Sequence, residues 1–139
     1  MDAPRIDRIL ETPLYVGDVE QAARFYERTL GLRRMSTGER LIPMDAGGGT
    51  VLLLFQRGAT DTGTSFEGGW IPSHDGRGTA HFAFAVDAGE IDAWRAHLRN
   101  EGVEIESEVE WDRGGVSLYF RDPDGHSVEL ASPGVWPVY

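Results

Sequence analysis

A repeat running through the whole chain restricts its fold more than any other feature. Shifting the sequence by 70 residues lays Glu11 on His81, Leu14 on Phe84, Val16 on Val86 and Glu20 on Glu90. Near the end of each half Gly58 matches Gly134, and counting back five places sets Leu53 opposite Glu129. In the first half, residues 9–16 alternate as a strand: Leu10, Thr12, Leu14 and Val16 share one face, and Glu11, Pro13 and Tyr15 the other. Pro13 suits a sheet edge. Asp18 with Gln21 three places on forms a capping box that opens a helix. Val19, Ala22, Ala23, Tyr26 and Leu30 keep helical spacing, and Gly31 is placed to end it. Strands are then expected over 32–36, 41–45 and 50–55, parted by Thr37-Gly38 and by Gly47-Gly48-Gly49.

The second half repeats the order. In the strand over 79–86, Phe82, Phe84 and Val86 share one face and His81, Ala83 and Ala85 the other. Ile91, Trp94 and Leu98 mark a helix ending near Gly102, and Val103, Ile105, Val109 and Trp111 alternate after it. Residues 117–136 read as a β-hairpin about Asp122-Pro123-Asp124-Gly125, a sequence suited to a tight turn. A β-α-β-β-β unit covers one sheet face with its own helix and leaves the other to be buried or used. The expected fold is therefore α+β: two βαβββ modules forming a curved mixed sheet around a cavity. The boundaries are one domain over 1–139, with module one at 9–57, a glycine-rich linker or lid at 58–78 and module two at 79–136. The 58–78 segment shows no period yet carries Phe66, Trp70 and His74, which fits an anchored linker or a cover over a pocket.

One residue is out of place in this pattern. Glu129 is a carboxylate between Val128 and Leu130 on a strand that reads as buried. Ionised and unpaired there, it would cost several kcal/mol, so it needs a cation, a cluster of donors or a metal ion. Glu11 and His81 sit on the matching free faces. Carboxylate and imidazole are side chains that can hold a divalent ion. The plainer alternatives are an ion pair of Glu11 with an arginine such as Arg121 and a satisfied core histidine at 81. Tyr119 and Ser117, on the Glu129 face, and His74, from the long loop, are the candidate catalytic assistants.

Charge and composition exclude several classes of function. Lys plus Arg is 13 and Asp plus Glu is 23, a net charge of −10 that repels nucleic acid and anionic membranes. The absence of cysteine removes thiolate ligands, cysteine nucleophiles and disulfides. No apolar run approaches the roughly 20 residues of a membrane helix, and residues 1–10 lack a signal-peptide core, so a soluble cytoplasmic protein is expected.

The stretches LYVGDVEQAARFYERTLGL, AHFAFAV and SLYFRDPDGHSVEL make the chain resemble the vicinal oxygen chelate superfamily over residues 9–136. That superfamily takes in glyoxalases, bleomycin-resistance proteins and extradiol dioxygenases. The resemblance implies a metal ligand from the first strand of each half and a glutamate from the last strand of the second, hence Glu11, His81 and Glu129. It implies a divalent ion (Mn, Ni, Co, Zn or Fe(II)), a small oxygenated substrate whose vicinal oxygens it chelates, and lyase, isomerase or dioxygenase chemistry. It also implies a homodimer, with Glu11 of one chain facing His81 and Glu129 of the other where halves are exchanged. Three positions depart from the pattern. Glu11 replaces a usual histidine, which disfavours the two-histidine iron chemistry of extradiol enzymes. Leu53 stands where glyoxalase I has a fourth ligand, which argues against its acid–base mechanism. Pro13 stands where the fosfomycin thiol transferases have threonine. The alternative reading is a non-catalytic small-molecule or antibiotic binder of the bleomycin-resistance type, with aromatics and acids attracting a cationic ligand.

Overall fold

The computed structural model describes residues 2–139. It forms two units by contact: the chain up to Ala23 with Leu32–Arg77, and Arg24–Gly31 with Gly78–Tyr139. The first unit opens with β1 (Glu11–Val16), followed by α1 (Val19–Leu30), whose last turns count with the second unit. The cap forms as the capping-box spacing implies, with the Gln21 N–H donating to Asp18 Oδ1 at 3.0 Å. Gly31 ends the helix at φ 67°, where a side chain would be strained. Then come β2 (Arg33–Arg34), β3 (Leu41–Gly47) and β4 (Thr50–Gln56). The sheet runs β1-β4-β3-β2, with β1 and β4 parallel and the other pairs antiparallel. Strict alternation buries Leu14, Val16, Ile42, Met44, Leu52 and Leu54 on one face. It leaves Glu11, Pro13, Tyr15, Leu53 and Phe55 on the other.

The segment expected to be structureless holds a short hairpin, β5 (Thr64–Phe66) and β6 (Gly69–Ile71). Thr64, Phe66 and Ile71 have the β-branched and aromatic character that pairs across a turn, a signal hidden by the surrounding glycines. The strand expected over 32–36 is only two residues long, because Met35 leaves the ladder after donating to the Pro43 carbonyl.

The second unit repeats the topology with β7 (His81–Ala85), a 3₁₀ turn at Ala88–Glu90, α2 (Ile91–Asn100), β8 (Ser107–Glu110), β9 (Val116–Arg121) and β10 (Ser127–Ala131), in the order β7-β10-β9-β8. Leu118, Phe120, Val128 and Leu130 are buried on one face. The last turns of α1 pack within this unit, Phe25 against Phe120 at 6.4 Å and Tyr26 against Phe82 at 6.3 Å between ring centres. The registers confirm the repeat. Pro13 pairs with Leu53 in one sheet, and Ala83 with Glu129 in the other, the same offsets that the sequence halves show. The chain is thus α+β, two βαβββ modules of mixed sheet. Among the described residues no helix is long and apolar enough to cross a membrane.

Candidate metal centre

In the second unit the sheet face opposite the core carries His81, Glu129, Ser117 and Tyr119. The ladder explains why they meet. Glu129 lies opposite Tyr119 on β9 and opposite Ala83 on β7, with Ser117 and His81 one diagonal step away.

Hydrogen-bond polarity fixes the carboxylate. The indole Nε1 of Trp111 can only donate, and it reaches Ser117 Oγ at 2.9 Å. Ser117 in turn donates its proton to Glu129 Oε2 at 2.5 Å, a short charge-assisted bond. Glu129, which is buried, keeps Oε1 toward His81 Nε2, 3.2 Å away. The other imidazole nitrogen, Nδ1, lies 3.0 Å from the Ser127 carbonyl, which can only accept, so Nδ1 carries the proton. A backbone carbonyl on one nitrogen and a carboxylate beside the other is the usual setting of a ligating histidine. Nitrogen and oxygen donors about 2.1 Å from a shared ion at cis or tetrahedral angles stand about 3.0 to 3.4 Å apart, which brackets the separation seen here. The residues present therefore suit a divalent ion.

Tyr119 stacks on His81, ring centres 6.1 Å apart at 29°. Burial first, and then the negative charge of Glu129, push its hydroxyl above the ordinary 10.0, so it stays protonated at neutral pH.

Of the six residues singled out in the sequence, this unit brings together four: His81, Glu129, Ser117 and Tyr119. Glu11 and His74 belong to the first unit. Glu11 is exposed on β1 and its carboxylate has no hydrogen-bond or ion-pair partner among the described residues. Its suggested partner Arg121 instead holds Glu106, at 2.8 Å. No group of three or more His, Cys, Asp or Glu side chains gathers as a ligand set among the described residues. His74 lines a first-unit cavity with Glu11 and Tyr15, and its Nδ1 lies 2.7 Å from the Tyr15 hydroxyl. Trp111 joins the site through its bond to Ser117. Its only sequence signal is its place at the end of the alternating run after α2, and the bond to Ser117 depends on the β8–β9 connection folding back.

Comparison with known proteins places the chain in a family. The model of the Glyoxalase/Bleomycin resistance protein/Dioxygenase superfamily matches residues 5–130. The crystal structure of a lactoylglutathione lyase from Agrobacterium tumefaciens superposes with a TM-score of 0.86 at 30% identity, covering 96% of this chain and 99% of that one. A lactoylglutathione lyase from Haemophilus influenzae is 27% identical over 125 residues, 88% of this chain and 90% of its own. A metallothiol transferase FosB from Shouchella clausii is 39% identical over 54 residues, 36% of each chain. With nearly its whole length matched and its fold shared, the chain belongs to the Glyoxalase/Bleomycin resistance protein/Dioxygenase superfamily.

Proposed function

We propose that this chain is a divalent-metal-dependent enzyme acting on a small oxygenated molecule, with Glu11, His81 and Glu129 as ligands. The observation that carries the reading is the 3.2 Å approach of His81 Nε2 to Glu129 Oε1, with Ser127 and Ser117 orienting the two groups from behind. Mn, Ni, Co, Zn and Fe(II) all suit two carboxylates and an imidazole. Bound there, such an ion supplies Lewis acidity to two neighbouring substrate oxygens. The chain's own groups do the rest. Tyr119, held protonated beside the site, donates a hydrogen bond to negative charge on a substrate oxygen. Ser117 aims Glu129 through the bond to Oε2, which makes it a positioning residue.

The exposed, unpartnered carboxylate of Glu11 favours a homodimer in which Glu11 of the partner subunit completes the site. Leu53 occupies in the first ladder the position Glu129 holds in the second, so the first unit offers an apolar side chain where a further acid would stand. That favours a lyase, isomerase or dioxygenase step other than the acid–base chemistry of glyoxalase I.

Metal analysis of purified protein tests the reading. One equivalent per chain after loading and dialysis is expected, falling to background in His81→Ala and Glu129→Ala. Metal-free protein that binds a planar organic cation equally well before and after those substitutions would establish the non-catalytic binder instead.

A further inference from the structure

The first unit holds a cavity of about 690 Å³, within the range of small-molecule sites. Its wall runs along the free face of β1, from Glu11 past Pro13 to Tyr15. At about 3.3 Å of rise per residue, Glu11 and Tyr15 stand about 13 Å apart on that face. The two ends differ in chemistry. Glu11 offers a carboxylate. The far end is aromatic: Phe55 stacks on Tyr15 at 5.8 Å and 20°, and His74 meets Phe55 edge-on at 4.7 Å. The loop backbone presses on this cluster, since a Cβ added at Gly76 would land 2.5 Å from the Tyr15 ring. The β5–β6 hairpin contributes Thr64 and Ile71 to the wall. Arg40, also on the wall, donates to the Ala59 carbonyl.

The polar group at the aromatic end is a tyrosine–histidine pair, the Tyr15 hydroxyl lying 2.7 Å from His74 Nδ1. Burial, and then the charge of Asp75, push the Tyr15 hydroxyl above the ordinary 10.0, so it keeps its proton. With that proton given to Nδ1, the imidazole carries its own on Nε2. His74 Nε2 has no hydrogen-bond partner among the described residues.

We infer that the substrate is an elongated molecule whose end remote from the chelating oxygens is a flat, uncharged ring bearing an oxygen acceptor, stacked against Phe55 and Tyr15 and held by His74 Nε2. This deepens the proposed function and rests on it for the chelating end alone. Aromatic walls reward a flat ring over a saturated one, and a donor left without an acceptor on an apolar wall selects for an oxygen.

Calorimetric titration with three probes tests it: acetophenone, its saturated analogue cyclohexyl methyl ketone, and glutathione as a charged, ringless competitor. Acetophenone is expected to bind wild-type protein, with cyclohexyl methyl ketone about fivefold weaker and glutathione undetected. His74→Phe keeps the ring but loses Nε2–H, and is expected to weaken acetophenone about tenfold. Tyr15→Phe, which frees the histidine tautomer, should weaken it about threefold and serves if His74→Phe does not fold. His81→Ala should lose its metal and still bind acetophenone as wild type does; metal retained in that variant would overturn the metal reading alone. Equal affinity for the two ketones, tighter binding of glutathione, or unchanged affinity in both ring variants would overturn the inference.

Discussion

Ser117 has one proton to give, and with the indole of Trp111 donating to its oxygen that proton goes to Glu129. The direction of that bond leaves the carboxylate satisfied and held in place rather than a buried liability. Removing the hydroxyl leaves Glu129 free to rotate. Ser117→Ala is therefore expected to fold, with the indole N–H of the half-exposed Trp111 turning to water, and to bind Mn or Zn about tenfold more weakly by calorimetric titration. Unchanged affinity would show that Ser117 has no part in the site. At this scale the sequence was informative wherever a residue broke its own pattern. Glu129 among apolar neighbours and His81 above two alanines could both be read from alternation, since a strand fixes which side chains share a face. The Tyr15–His74 pair could not. Fifty-nine positions separate its members, and the segment that carries His74 shows no period from which contact could be argued.

The DPDG hairpin does more at the scale of elements than reverse the chain. Gly125, at φ 81°, closes the turn by donating to the Asp122 carbonyl at 3.0 Å. The Asp122 side chain then accepts from the backbone of Asp124 and His126 and from the buried hydroxyl of Tyr26 at 2.7 Å, tying α1 to the turn. His126 Nδ1 accepts from the Ala80 N–H at 2.8 Å, which sets the start of β7 just before His81. The turn thus fastens three elements, although its residue types alone promise only a reversal. The helical spacing of Tyr26 marked it as core and said nothing of its hydroxyl.

Burial and then Asp122 hold Tyr26 well above its ordinary 10.0. An unfolded chain releases that proton near pH 10.0 while the folded one keeps it. The contribution of Tyr26 to stability is therefore complete below that pH and is lost as pH rises beyond it. Tyr15, Tyr119 and Tyr139 are raised too and act in the same sense. Tyr26→Phe is expected to cost about 1–3 kcal/mol at neutral pH, because Asp122 loses a donor. Thermal melts should then show a smaller drop in Tm than wild type between about pH 9 and about pH 11. Parallel pH profiles would contradict the assignment.

For the whole molecule, duplication supplies two sheets with matching registers, and divergence has made their free faces unlike. One carries His81, Glu129, Ser117 and Tyr119, and the other Glu11, Leu53 and an aromatic cavity. The fold was legible because the repeat constrains every strand at once, whereas the hairpin of β5 and β6, present in one half alone, had no counterpart to reveal it. The homodimer proposed above, with Glu11 completing the partner's site, is tested by mass. Light scattering is expected to give a mass near twice 15.3 kDa, and a mass near 15.3 kDa would refute the homodimer. The central claim is that an imidazole and two acids share one ion. A crystal structure of metal-loaded protein, with anomalous data at the edge of the added metal, tests it most directly. The account predicts one peak per chain in contact with Glu11, His81 Nε2 and Glu129 Oε1; a loaded crystal with its anomalous peak elsewhere, or with His81 and Glu129 still paired to each other and no peak between them, would contradict it.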